Sequence, residues 1–175
     1  MQIDDLTKIP ENHPPSPYSF PVPLKNGEIW GYGILPDKLP IFTVGWLGDF
    51  LPEEGEVDPI CIDRLWQAFT EKQIIIDGTA GWHDCELCDG KDNWYPDEKV
   101  GPVVEWRDEK ARIRGYGHFL LSSGQKVYMA PTLILHYIID HGYKPPLEFV
   151  ETAMGSGNIL GMDDLKWIED WPSNN

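Results

Sequence analysis

Two cysteines separated by two residues, Cys85 and Cys88, constrain this chain more than any other feature of its sequence. They lie in GWHDCELCDG, residues 81–90, with His83 just upstream. C-x-x-C is the usual spacing of a zinc knuckle, because one tight turn presents both sulfurs to one ion while its backbone N–H groups donate to the thiolates. Such a pair is only half of a four-ligand site, so a zinc ion would tie this turn to a distant segment.

Histidines of the predicted central helix are candidates for the missing ligands. His136 shares a face with Asp140, four residues on, close enough to hydrogen-bond or to bind the same metal. His141 is displaced from His136 by about 140° around a helix, so we expect only one of them to reach the ion unless the helix ends between them. The expected zinc ligands are therefore His83, Cys85, Cys88 and one helix histidine, with His141 ahead of His136. Without a metal, His136 would be a core residue and His141 a helix C-terminal cap.

A redox dithiol and a plain structural turn are the other interpretations of the cysteine pair. A redox dithiol needs nearby cations or a helix N-terminus to lower the thiol pKa. The neighbours here are Asp84, Glu86 and Asp89, whose charges raise a thiol pKa instead. The sequence patterns of zinc deaminases and of zincin proteases are both absent. Zinc is therefore the favoured interpretation of the turn.

Short segments rich in aromatic and β-branched residues lie before and between helical ones, which predicts an α+β fold. We expect a small, mainly antiparallel sheet packed against a few helices. Asp58 and Pro59 predict the start of a helix over residues 58–72. Further helices are predicted over residues 131–142, 145–155 and 163–171.

Prolines crowd the N-terminus, at positions 10, 14, 15, 17, 21 and 23. Proline fixes φ and donates no backbone hydrogen bond, so this stretch cannot form a central strand. We expect an extended Pro-rich arm over residues 1–25 that lies on the body. Residues 26–175 are then expected to form a single α+β domain.

The chain is strongly acidic, with a net charge of −15. Such a surface repels nucleic acid and anionic lipid. It either attracts a basic protein or simply keeps the protein soluble. No apolar run approaches the roughly 20 residues of a membrane span, and the N-terminus lacks signal-peptide regions. We therefore expect a cytoplasmic protein that contacts neither nucleic acid nor membrane. Its candidate partner-binding residues lie in the acidic loop, residues 48–58, and are Asp49, Glu53, Glu54 and Glu56.

Two functions fit these features. The first is a non-catalytic module that binds a basic protein, as an immunity-type inhibitor would, with zinc as a structural clamp. The alternative is a zinc-dependent hydrolase that uses the same Cys/His cluster with water in an open position and Asp84, Glu86 or Asp140 as general base. No complete catalytic constellation is visible, so we expect the first.

The chain also resembles a family of small bacterial proteins, a domain of unknown function. The shared stretches are GWHDCELC and VYMAPTLILHYIIDHGYKPPLEFVE, with TVGWLG upstream. Members are similar in pairing a G-x-H-x-C-x-x-C turn with a histidine-bearing helix and a following proline-started helix. The resemblance implies that His83, Cys85, Cys88, His136 and His141 belong to one shared pattern. It implies no particular activity.

Overall fold

The computed structural model describes residues 4–9, 19–23, 30–35, 37–49, 53–76, 85–88, 101–113, 115 and 117–168. Within these ranges the helices are α1 (Pro59–Thr70), α2 (Ile134–His141) and α3 (Leu147–Met154). The strands are β1 (Ser19–Pro23), β2 (Trp30–Ile34), β3 (Ile41–Thr43), β4 (Ile75–Ile76), β5 (Val103–Trp106), β6 (Glu109–Arg112), β7 (Gly117–Ser122), β8 (Val127–Pro131), β9 (Asn158–Leu160) and β10 (Lys166–Ile168). Helices packed against small sheets confirm the predicted α+β fold.

The sheets are mostly antiparallel. Five strands form the largest sheet. Four of them lie in the order β3-β8-β7-β4, and the fifth, β9, pairs with β7 next to β4, along the same edge of β7. The pairing of β3 with β8 is parallel, and the other pairings of this sheet are antiparallel. The strands β1, β2 and β10 form a second sheet, and β5 and β6 form a hairpin. Helix α3 packs against the central β7–β8 pair, since the ring of Phe149 meets that of Tyr128 of β8 edge-on, with centroids 5.9 Å apart.

Helix α1 forms where the sequence predicted it. Asp58 caps its N-terminus by accepting a hydrogen bond from the Ile60 amide (2.9 Å), and Pro59 occupies the first turn, where no N–H is needed. Arg64 of α1 then holds the end of α3, because its guanidinium donates to the carbonyls of Ala153 and Gly155 (2.8 Å each) and to that of Gly157. These bonds satisfy carbonyls that a helix end leaves without partners.

One predicted helix boundary and one predicted helix were wrong. Pro131 does not open α2 but ends strand β8, and the helix begins at Ile134. The extended pairing of Pro131 with His118 of β7 takes precedence over the preference of proline for a first helical turn. Where a helix was predicted over residues 163–171, the structure has a short 3-10 turn, Met162–Asp164, followed by β10, which pairs with β2. Residues 169–171 lie outside the described residues. Tertiary pairing overrides local propensity at both places.

Part of the predicted arm lies on the large sheet. Residues 4–9 run along the free edge of β3, where the amides of Leu6 and Ile9 donate to the carbonyls of Thr43 (2.7 Å) and Ile41 (2.9 Å). Further along, β1 forms an edge strand beside β2, a position that tolerates proline. The division into a 1–25 arm and a 26–175 domain stays a prediction.

Asp5 fastens this arm to the interior. Its Oδ1 accepts a hydrogen bond from the Gly45 amide (2.7 Å), and its Oδ2 accepts one from the fully buried Tyr143 hydroxyl (2.6 Å). Burial raises the pKa of the Asp5 carboxyl above its usual range, and the two hydrogen bonds only partly oppose that effect. The folded protein therefore holds the Asp5 proton more tightly than the unfolded chain does.

This shift predicts a pH-dependent effect of Asp5→Asn. Because the pKa is raised on folding, ionisation of Asp5 destabilises the fold as pH rises from about 4, the unfolded value, through the folded pKa. An asparagine can still accept from Gly45 and contact Tyr143, but it does not ionise. We expect the unfolding free energy of Asp5→Asn, relative to the natural protein, to rise between pH 4 and pH 7 in urea melts. A difference that is constant with pH would contradict the raised pKa.

In the part of the chain that the structure describes, no helix combines the length and the apolar composition needed to cross a membrane.

Candidate metal centre

The cysteine pair lies on a tight turn that points its sulfurs inward. Cys85 is buried and Cys88 is half-buried. The backbone N–H groups of Leu87 and Cys88 both donate toward the Cys85 sulfur. This is the arrangement expected of a knuckle, in which the amides of the turn stabilise a thiolate.

Helix α2 brings its histidines to the same point. Residues Ile134 to Ile138 are buried, so the helix passes through the core and carries the His136 ring with it, 3% exposed. His141 is the last residue of the helix, and Gly142 follows in the left-handed conformation (φ 68°) that ends it. The two imidazole rings meet edge to face, with centroids 4.6 Å apart.

Four donor atoms converge at this meeting point, all within 4.8 Å of one another. The Nε2 atoms of His136 and His141 are 3.1 Å apart. The Cys88 Sγ lies 3.2 Å from the His136 Nε2 and 3.4 Å from the His141 Nε2. The Cys85 Sγ also lies 3.4 Å from the His141 Nε2. Tetrahedral zinc with ordinary Zn–S and Zn–N bonds separates sulfur from nitrogen by about 3.5 Å and two nitrogens by about 3.3 Å. The cluster therefore has the composition and size of a four-ligand metal site.

Asp140 orients one of these ligands. Its Oδ2 lies 2.7 Å from Nδ1 of His136, one helical turn away. A carboxylate can only accept, so Nδ1 carries the proton and Nε2 directs its lone pair at the cluster. Metal-binding histidines are commonly fixed by such a carboxylate, which also makes the imidazole a stronger ligand.

Burial shifts the pKa values of Cys85 and His136. It raises the pKa of the Cys85 thiol to about 12, although the turn amides act in the opposite direction. It also lowers the pKa of His136, against the influence of Asp140, so that this ring is neutral at pH 7 and can bind a metal. A thiol of raised pKa is a poor nucleophile, which argues against the redox interpretation. A bound dication would replace the thiol protons, since metal ligation requires thiolates.

The structure brings together four of the five predicted metal-binding residues, namely Cys85, Cys88, His136 and His141. His83 lies outside the described residues, so its role stays a prediction. The expectation that only one helix histidine could reach the cluster was wrong. The 140° separation applies to Cα positions within a helix, whereas His141 stands in the final turn and its long imidazole reaches back to His136. Gly142, directly after His141, was the sequence signal for that helix end.

The predicted partner-binding residues, Asp49, Glu53, Glu54 and Glu56, are all exposed. Two of them contact the segment that follows His141. The Glu53 carboxylate pairs with the Lys144 ammonium at 2.9 Å, and the backbone of Glu54 forms an antiparallel bridge with Tyr143. The acidic loop therefore lies next to the chain that leaves the cluster.

The sequence of the chain matches a known protein family. The family model for a domain of unknown function, DUF7919, matches residues 1–154. The chain belongs to this family. The match includes the cysteine turn, α2 and α3, which confirms the resemblance found in the sequence. No curated protein and no solved structure is significantly similar to the chain.

Proposed function

We propose that Cys85, Cys88, His136 and His141 hold one structural zinc ion, and that the protein is a non-catalytic module that binds a basic protein. The observation that carries the zinc assignment is the convergence of four donors at tetrahedral spacing. Two thiolates and two imidazoles are a common donor set of structural zinc, because borderline-soft Zn²⁺ binds both sulfur and nitrogen. An ion there would fasten the cysteine turn to helix α2.

The arrangement favours a structural role over the hydrolase alternative. Catalytic zinc uses three protein ligands and keeps one position for water, whereas four donors here fill a tetrahedral shell. Asp140, one of the candidate general bases, is already engaged with His136. Glu86 is exposed, and Asp84 lies outside the described residues.

Charge supports the binding role. Glu53, Glu54 and Glu56 are exposed on a chain whose net charge is −15, which favours encounter with a basic surface. Two large apolar side chains are exposed at positions that follow the loop or its contact segment along the chain. Ile60 (57%) is the second residue of α1, directly after the loop, and Leu147 (69%) is the first residue of α3, three residues after Lys144. Exposed apolar groups beside charged ones are typical of interfaces, where they supply binding free energy. A basic toxin neutralised by an immunity-type inhibitor is one partner of this chemistry.

Affinity capture from a lysate of the source organism tests the binding role. We expect the natural protein to capture a basic protein, and the amount captured to fall as the salt concentration rises. A Glu54→Gln/Glu56→Gln variant should capture much less of that protein. The matched control is Asp37→Asn/Asp163→Asn, which removes the same charge from exposed positions elsewhere. Equal capture by both variants, or no captured protein, would count against the proposal.

A further inference from the structure

The segment Gly142–Lys144 joins the metal cluster to the acidic loop by backbone contacts. It follows the ligand His141 directly, and the Tyr143 amide donates back to the Tyr137 carbonyl of α2 (2.9 Å). Its position is therefore set by the last turn of that helix. A ligand that holds His141 in place therefore also holds the start of the Gly142–Lys144 segment in place.

The same segment binds the loop. The Gly55 amide donates to the Gly142 carbonyl, and the Lys144 amide donates to the Glu53 carbonyl, both at 3.0 Å. These two bonds enclose the Glu54–Tyr143 bridge, so residues 53–55 and 142–144 form a short two-stranded ladder. The side chains add only an exposed ion pair between Lys144 and Glu53, which contributes little by itself.

The other side of this segment is anchored in the core. The Tyr143 side chain is fully buried, and its hydroxyl donates to Asp5 of the N-terminal arm. Lys144, by contrast, is exposed, and the ladder lies at the surface. Surface ladders of two bonds open readily unless something holds one side in place.

We infer that metal occupancy at His141 holds residues 53–55 of the acidic loop in place through the Gly142–Lys144 ladder. This inference rests on the zinc site proposed above. It gives that site a regulatory role, because the metal would control how residues 53–55 of the acidic loop are presented to a partner. A metal that binds only when His141 is in position favours the closed ladder by mass action. The link is reciprocal, so anything that stabilises the loop also tightens metal binding by the same factor.

Hydrogen exchange with and without zinc tests the link. The full chain is compared as zinc-loaded protein, with its metal content measured, and after removal of zinc by a chelator. We expect exchange in peptides covering residues 53–58 and 142–146 to be at least about tenfold faster without zinc. The internal control is the β7–β8 pair, residues 117–131, at labelling times short enough for its paired amides to stay protected in both forms, because loss of zinc lowers the stability of the whole fold without unfolding it.

The outcomes separate this inference from the zinc proposal. A natural protein that binds no zinc overturns both. Zinc binding without a change at residues 53–58 overturns only the link. So does exchange of the paired amides of residues 117–131 within the same short labelling time, because the zinc-free chain would then be unfolded as a whole rather than open at the ladder.

The reciprocal effect gives a second, independent test. Gly55→Pro removes the amide that donates to Gly142, so we expect zinc affinity to fall about fivefold, the equivalent of one hydrogen bond. Lys144→Ala removes the ion pair but keeps both backbone bonds, so its affinity should match that of the natural protein. Unchanged affinity in Gly55→Pro would overturn the link.

Discussion

Replacing both cysteines of the turn, in Cys85→Ser/Cys88→Ser, is expected to abolish zinc binding and to lower the melting temperature by about 10 °C or more. A ligand present at 1,000 times its dissociation constant adds about 4 kcal/mol to the unfolding free energy. In a chain of 175 residues, each kcal/mol corresponds to roughly 2–4 °C. Metal content by mass spectrometry and a thermal melt of the same preparation measure both effects.

The third cysteine supplies the matched control. Cys61 is fully buried in the first turn of α1 and lies outside the cluster. Cys61→Ala should therefore keep one zinc per chain and lose only the small contribution of one buried side chain. Treating the natural protein with a chelator should reproduce the melting temperature of the double variant. If the double variant melted like the natural protein while having lost its zinc, the site would be an open one and the hydrolase alternative would gain support.

Asp140→Ala is expected to weaken zinc binding by about 10- to 100-fold without removing a ligand, the usual effect of losing a carboxylate behind a metal-bound histidine. The reason is that Nδ1 of His136 loses the acceptor that fixes its ring and its tautomer. Asp140→Asn keeps an acceptor but not the charge, so its effect should be intermediate. Competition with a coloured chelator measures the affinities, and cobalt substitution reports whether the site remains tetrahedral.

A carboxylate of nearly equal exposure serves as the control for Asp140. Its side chain is 39% exposed, and that of Glu148, which pairs with Lys126 and does not belong to the cluster, is 41% exposed. Glu148→Ala should leave zinc affinity unchanged. Equal affinities for Asp140→Ala and Glu148→Ala would show that the contact with His136 does not tune the metal.

The sequence predicted those features that depend on neighbours along the chain. Asp58 and Pro59 signal the start of α1, Gly142 signals the end of α2, and the C-x-x-C turn signals half of a metal site, because each acts within one turn of backbone. The pairing of His136 with Asp140 was also accessible, since residues four apart share a helix face.

What the sequence could not predict depends on contacts between distant segments. Nothing in the local pattern of residues 166–168 indicates that they pair with β2, so a helix was predicted there. Likewise no periodicity links Asp5 to Tyr143, which are 138 positions apart. The prediction that only one helix histidine reaches the cluster failed for a different reason: an angle between Cα positions was applied to long side chains, and the His141 ring reaches back to His136 from the last turn of the helix.

The end of the family match at residue 154 does not coincide with an end of the structure. Beyond it, Gly155 and Gly157 bind Arg64, β9 covers one edge of β7, and β10 covers β2. An expression fragment cut at residue 154 would leave two unprotected strand edges, which invite pairing between chains and hence aggregation. For recombinant work on this protein, a fragment should extend beyond the boundary of the family match, at least through residue 168.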